Sequence, residues 1–204
     1  LASNLPSGSP ERRAILAGLQ QKVASDEVNV PGKHILDKAT VYDNAKVFGD
    51  AEVRDNVKVY DNAKVYDDAK VYDNAKVSGK AKVYDKATVY GEAKVFDNAM
   101  VYGDSAKVGG KALVYGKAKV YDDALIYQTA AVFGQAEVFG NASVGGDADI
   151  SGNAQVYGKA IVEGKAQVSG KARIGGDAVI IGGYWDGSEG PIMSGIWKGP
   201  GVPV

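Results

Sequence analysis

This chain of 204 residues contains no cysteine, which excludes disulfide bonds and thiolate chemistry. That absence leaves the compartment open, because it suits cytosol and export alike. Histidine occurs once, as His34, so a metal site or an acid–base centre built on several imidazoles has nothing to draw on within one subunit. There is no run of about eighteen apolar residues, and no membrane-spanning helix is expected. Charge of one sign is also lacking. Lysine and arginine number 24 against 25 aspartates and glutamates, for a formal net charge of −1, so no global field draws in nucleic acid or an anionic membrane. The chain begins with leucine and shows no charged-then-apolar leader, which reads as a fragment or processed product of a larger protein.

What is present is a repeat. Of the sixteen tyrosines and phenylalanines, all but Tyr184 occupy one phase of the hexad Ala-x-Val-(Tyr/Phe)-(Asp/Gly)-x, which runs from Ala39 to about Gly183. The unit Ala63-Lys64-Val65-Tyr66-Asp67-Asp68 shows its logic. Strand alternation puts Ala63 and Val65 on one side and Lys64 and Tyr66 on the other. The Ala/Val side is apolar in unit after unit and is therefore the inside. Asp or Gly in the fifth position tolerates the left-handed backbone that a sharp corner needs. A short strand and a corner every six residues make a polygonal solenoid, which is a surface or a spacer more often than a reaction vessel. The series comprises 24 units, with one extra residue near Ser105 expected to bulge at a corner.

The flanks differ. Residues 1–38 form a lead-in, in which Ser9-Pro10-Glu11 reads as a helix start and Ile15, Leu16, Leu19 and Val23 recur at helical spacing. A capping helix is expected from about Pro10 to Ala24. Residues 184–204 hold both tryptophans, Trp185 and Trp197, around Gly187-Ser188-Glu189-Gly190, and read as a hairpin or extended cap. The expected domains are therefore 1–38, 39–183 and 184–204.

Val65-Tyr66-Asp67-Asp68-Ala69-Lys70 resembles the hexapeptide-repeat, left-handed parallel β-helix superfamily in its aliphatic and small positions. It is also similar in flavour to bacterial and phage repeat proteins rich in Ala-Lys-Val-Tyr-Gly units. The likeness covers residues 39–183. It implies left-handed winding and three hexads per turn, hence an all-β solenoid of about eight triangular coils, roughly 38 Å long at about 4.8 Å per coil. One position departs: the residue after the aliphatic one is mostly Tyr or Phe here and is usually small or acidic in that superfamily. The implied role is a rigid structural or interaction module, part of a larger bacterial secreted, effector or phage protein. Its localisation is either the bacterial cytoplasm or the exterior.

Eighteen-residue coils place residues i and i+18 in register. One corner line then reads Phe48, Tyr66, Tyr84, Tyr102, Tyr121, Phe139, Tyr157, ending at Gly175. A second, from Tyr42 to Ser169, is broken by Ser78 and Ser151, and a third, from Arg54 to Glu163, by Gly109 and Gly145. The first line is the candidate binding edge for a protein partner or for self-association. The competing reading is that stacked rings merely stabilise adjacent coils. Lys46, Lys64 and Lys82 form one ladder and Lys58, Lys76 and Lys94 another, which reads as a solvated face that blocks lateral aggregation. Asp43 and Asp61, and Asp67 and Asp85, stack at corners, but the glycine-rich calcium-binding nonapeptide is missing. No metal or cofactor is expected.

The superfamily's best-known members are acyltransferases with a catalytic histidine on or beside the coils and a loop that shapes the acceptor site. Here His34 precedes the first unit and no loop interrupts the array, so a non-enzymatic role is expected, with an acyltransferase of unrecognised site as the alternative.

Overall fold

The computed structural model describes residues 35–199 and 202–203. The expected helix at 10–24 and His34 lie outside the described residues. Within them the chain is an all-β parallel solenoid of about nine turns, without helix. Each hexad contributes one two-residue strand, from β1 (Thr40–Val41) to β24 (Val179–Ile180). Strands three apart in sequence pair in parallel and in register: Lys46 with Lys64, Val47 with Val65, then Lys64 with Lys82. Three sheets of nine, eight and ten strands result. We call them the first, second and third faces, beginning respectively at Thr40–Val41, Lys46–Val47 and Glu52–Val53.

The alternation sets the core. Val65, Ala69, Val71 and Ala75 have no exposed surface, and the same holds for inward Ala and Val positions along the array. Opposite walls are so close that alanine and valine fill the interior, with isoleucine entering at Ile126, Ile150, Ile174 and Ile180. Backbone N–H groups of one coil donate to carbonyls of the next, as Phe48 N does to Val65 O at 3.1 Å.

Corners explain the Asp/Gly rule. Asp61 has φ 61° and Gly79, directly above it, φ 68°. The turn closes with Ala63 N–H on Tyr60 O at 3.3 Å. Aspartate adds a bond that glycine cannot: Asp61 Oδ2 accepts the Gly79 N–H at 3.0 Å, and Asp73 Oδ2 that of Gly91 at 2.9 Å. These carboxylates tie successive coils together at their corners.

The extra residue falls at a corner. Gly103 takes φ 105° in a bend over residues 103–105. Thr88 pairs with Lys107 across it, one residue further along than the Lys70–Thr88 pair below. The insertion thus leaves all three sheets continuous.

Parallel pairing continues on both sides of the 24 hexads. Ile35 bridges to Val53 below the first hexad. After β24 the chain makes another turn, in which Trp185 pairs with Val168, Ile192 bridges to Ile174, and Trp197 pairs with Ile180, all in parallel. Nine turns therefore replace the expected eight. The tail adds a turn because its inward residues still meet the three core lines, although their spacing is no longer six. Only then does Trp197 pair antiparallel with Pro203.

Candidate functional site

The seven rings of the first line come together as one column on the second face. Phe48–Tyr66, Tyr66–Tyr84 and Tyr84–Tyr102 stack at 4.9 Å between centroids, within 3° of parallel. Tyr102–Tyr121, Tyr121–Phe139 and Phe139–Tyr157 continue at 5.1, 4.9 and 5.3 Å. The column exists because parallel pairing fixes ring spacing at one coil, which is offset-stacking distance. Each ring is half-buried. Each ring between the ends has both faces on its neighbours, so along the column a partner meets ring rims and the tyrosine hydroxyls.

The other two lines are segmented, as their sequences imply. Tyr42–Tyr60 stack below Ser78, and Phe96, Tyr115 and Phe133 stack above it. On the third line the Arg54 guanidinium lies 4.7 Å from the centre of the Tyr72 ring, and Tyr72 stacks on Tyr90.

Each glycine that interrupts a line is covered by the ring below. A Cβ on Gly109 would sit 2.2 Å from Tyr90 Cζ, on Gly145 2.3 Å from Tyr127 Cζ, and on Gly175 2.5 Å from Tyr157 Cζ. Having passed over Gly145, the Tyr127 hydroxyl donates to Glu163 two coils away. In the same way Tyr157 reaches Met193 Sδ at 3.3 Å. These glycines give ring-sized seats rather than conformational freedom, a relation that requires knowing which residue lies above which.

Stacking shapes the electrostatics. Burial, then the neighbouring phenols Tyr102 and Tyr66, push the Tyr84 hydroxyl up to about 12. Tyr121 is likewise pushed up to about 12 by burial, with Glu137 next in weight. Tyr127 reaches about 12 chiefly through its hydrogen bond to Glu163. Beside the column, Lys119 Nζ bonds Glu137 Oε1 at 2.9 Å, which raises the lysine. None of these groups is poised near neutrality for proton transfer.

The outward strand positions divide the molecule into halves. In the first coils they carry lysine on every face: Lys46, Lys64 and Lys82; Lys58 and Lys76; Lys70. On the second face polar residues, interrupted by Met100, continue to Arg173. On the third they give way to Leu125, Ser143, Ile161, Val179 and Ile196, stacked in register. The second face carries an open groove lined by Asn98, Lys119, Glu137 and Gln155. No group of three or more His, Asp or Glu side chains is arranged to hold a metal among the described residues.

If stacking carries stability, Tyr84→Ala breaks two ring contacts and costs about 1–3 kcal/mol. Tyr184→Ala, at a residue 55% exposed, costs under about 0.5 kcal/mol. Urea unfolding compares them, and equal midpoints would show that the column is not stabilising.

A family model described as YdcK Beta solenoid repeat matches residues 154–170. The matched stretch is almost one full turn, containing the strands Gln155–Val156, Ile161–Val162 and Gln167–Val168. A search of curated proteins finds no match. The match and the parallel architecture together support a β-helix repeat family.

Proposed function

We propose that this chain is a non-enzymatic, rigid rod of the left-handed hexapeptide type that acts as a spacer and interaction module in a larger bacterial secreted, effector or phage protein. Its aromatic column contacts a protein partner, while the N-terminal segment and the tryptophan-bearing tail cap the two ends. The observation that carries this reading is in-register pairing through about nine turns, with the single extra residue absorbed at a corner. Such a body holds what it joins at a fixed distance. Its flat faces offer grooves rather than an enclosed pocket, which suits contact better than catalysis.

The lack of cysteine makes the test direct, since two introduced thiols are the only ones in the molecule. Lys46→Cys and Gln155→Cys lie on the second face, six coils apart, about 29 Å at about 4.8 Å per coil. Spin labels at these sites are expected to give one narrow distance distribution near that value in the free protein. A broad or bimodal distribution would sink the rigid-rod reading. Thiol release from acetyl-CoA with a panel of amines, lost on His34→Ala, would instead establish the acyltransferase alternative.

A further inference from the structure

We infer that the C-terminal half of the third face is a homodimer interface that joins two rods side by side and pointing the same way. Leu125, Ile161, Val179 and Ile196 occupy four of five successive outward rungs, with Ser143 between the first two. The N-terminal half of this face carries Glu52, Lys70, Thr88 and Lys107 in the equivalent places. Charge there keeps flat sheets apart, and it is withdrawn from the centre of this one face over its last five rungs. Ile196, which ends the ladder, is 47% exposed.

The occupant is a second copy because the patch is complementary to itself. Each rung presents three outward residues across the face, and the middle rung reads Lys159, Ile161, Glu163. A two-fold axis parallel to the solenoid sets every rung against its own copy and reverses left and right. Lys159 of each copy then meets Glu163 of the other, whose carboxylate also accepts the Tyr127 hydroxyl of its own chain, forming two ion pairs that flank the apolar ladder. Leu125, Ile161, Val179 and Ile196 each meet themselves, and Ser143 meets Ser143. An antiparallel arrangement centred on Ile161 would place Lys159 on Lys159 and Glu163 on Glu163. Sliding that arrangement by half a step would leave Leu125 beyond the end of the partner. The parallel two-fold is the register that seats every apolar rung and pairs the charges of the middle rung.

The ladder spans about 19 Å along the axis and about 13 Å across, from strand and coil spacings. That is about 250 Å² per copy for the ladder itself, below the size of stable specific interfaces, so the dimer is weak and concentration-dependent. Sedimentation equilibrium of the whole chain from about 5 µM to about 1 mM is expected to show a monomer–dimer equilibrium. Ile161→Lys/Val179→Lys restores the lysine pattern that the N-terminal coils already carry, so it is expected to melt like wild type while weakening association at least about tenfold. Ile196→Cys is expected to cross-link to itself under mild oxidation, and Thr40→Cys, on the first face, is not. A monomer at every concentration, association unchanged in the double-lysine variant, or failure of Ile196→Cys to cross-link while the protein sediments as a dimer would overturn the proposal. If the double-lysine variant fails to fold, the cysteine pair decides the matter in the otherwise native chain. Rod rigidity is read separately by the intramolecular label distance, so either idea can fail without the other.

Discussion

Trp185→Ala is expected to destabilise the last turn by about 3–5 kcal/mol, the range for truncating a buried aromatic residue. Trp185 takes the inward position that valine fills elsewhere, in register with Val168, and is 1% exposed. It is the largest fully buried side chain in the molecule's described part. Its ring meets Trp197 edge to face at 6.1 Å. Both indoles are anchored: Trp185 Nε1 donates to Gly182 O and Trp197 Nε1 to Ser194 O, each at 2.8 Å. Truncation leaves a cavity beside Val168 and removes the edge-to-face contact with Trp197. In a solenoid each turn touches only its neighbours, so the loss is felt locally first. The ninth turn therefore melts at lower denaturant than the array. Trp197 emission shifts red in that early transition, and amide exchange rises at residues from Gln167 to Ile181, whose N–H groups donate to ninth-turn carbonyls, while far-ultraviolet dichroism reports the later main transition. A single unshifted transition, with Trp197 emission unchanged, would falsify this account.

Much of the fold was legible because each hexad position has one physical job. Ala and Val repeat inward, Asp or Gly turns the corner, and the ring phase points outward. Folding the series on eighteen residues also predicts that Phe48 to Tyr157 align, and their rings do stack. What was not legible depends on neighbours eighteen residues away. Gly109 and Gly145 read as gaps in a line, whereas each is the seat of the ring below. Leu125, Ile161 and Val179 fall at a variable hexad position among lysines and glutamines, and become a ladder only on one face. In the sequence the tail reads as a hairpin or extended cap because Trp185, Ile192 and Trp197 are spaced by seven and five residues and are not Val. Their inward pairing is set by the core already built below them, a constraint that hexad counting does not contain. The role of the aromatic column was open in the sequence for a related reason, since residue type does not reveal that neighbouring rings cover each other's faces.

Raising the pH through 10 to 12 is expected to unfold the solenoid cooperatively, with the tyrosines of the stacks as the trigger. Burial is the leading cause of the upward shift at Tyr66, Tyr84, Tyr102, Tyr115 and Tyr121, and it puts Tyr84 and Tyr121 at about 12 against an ordinary value of 10.0. A native state that holds its phenolic protons more tightly than the unfolded chain is stabilised by this term fully below pH 10. The term is lost as pH rises from the unfolded value toward the folded one, because the unfolded chain ionises first. Adjacent phenolates would also repel at the 4.9 Å spacing of the Tyr66, Tyr84 and Tyr102 rings. Tyrosine absorbance at 295 nm should therefore rise together with the loss of far-ultraviolet dichroism, above the midpoint of a free phenol. The double variant Tyr84→Phe/Tyr121→Phe tests whether these two phenols drive the transition. It keeps both rings in the column and removes both ionisations, so the alkaline midpoint should move up while stability at pH 7 stays within about 1 kcal/mol of wild type. A midpoint that does not move would show that Tyr84 and Tyr121 do not drive the alkaline transition.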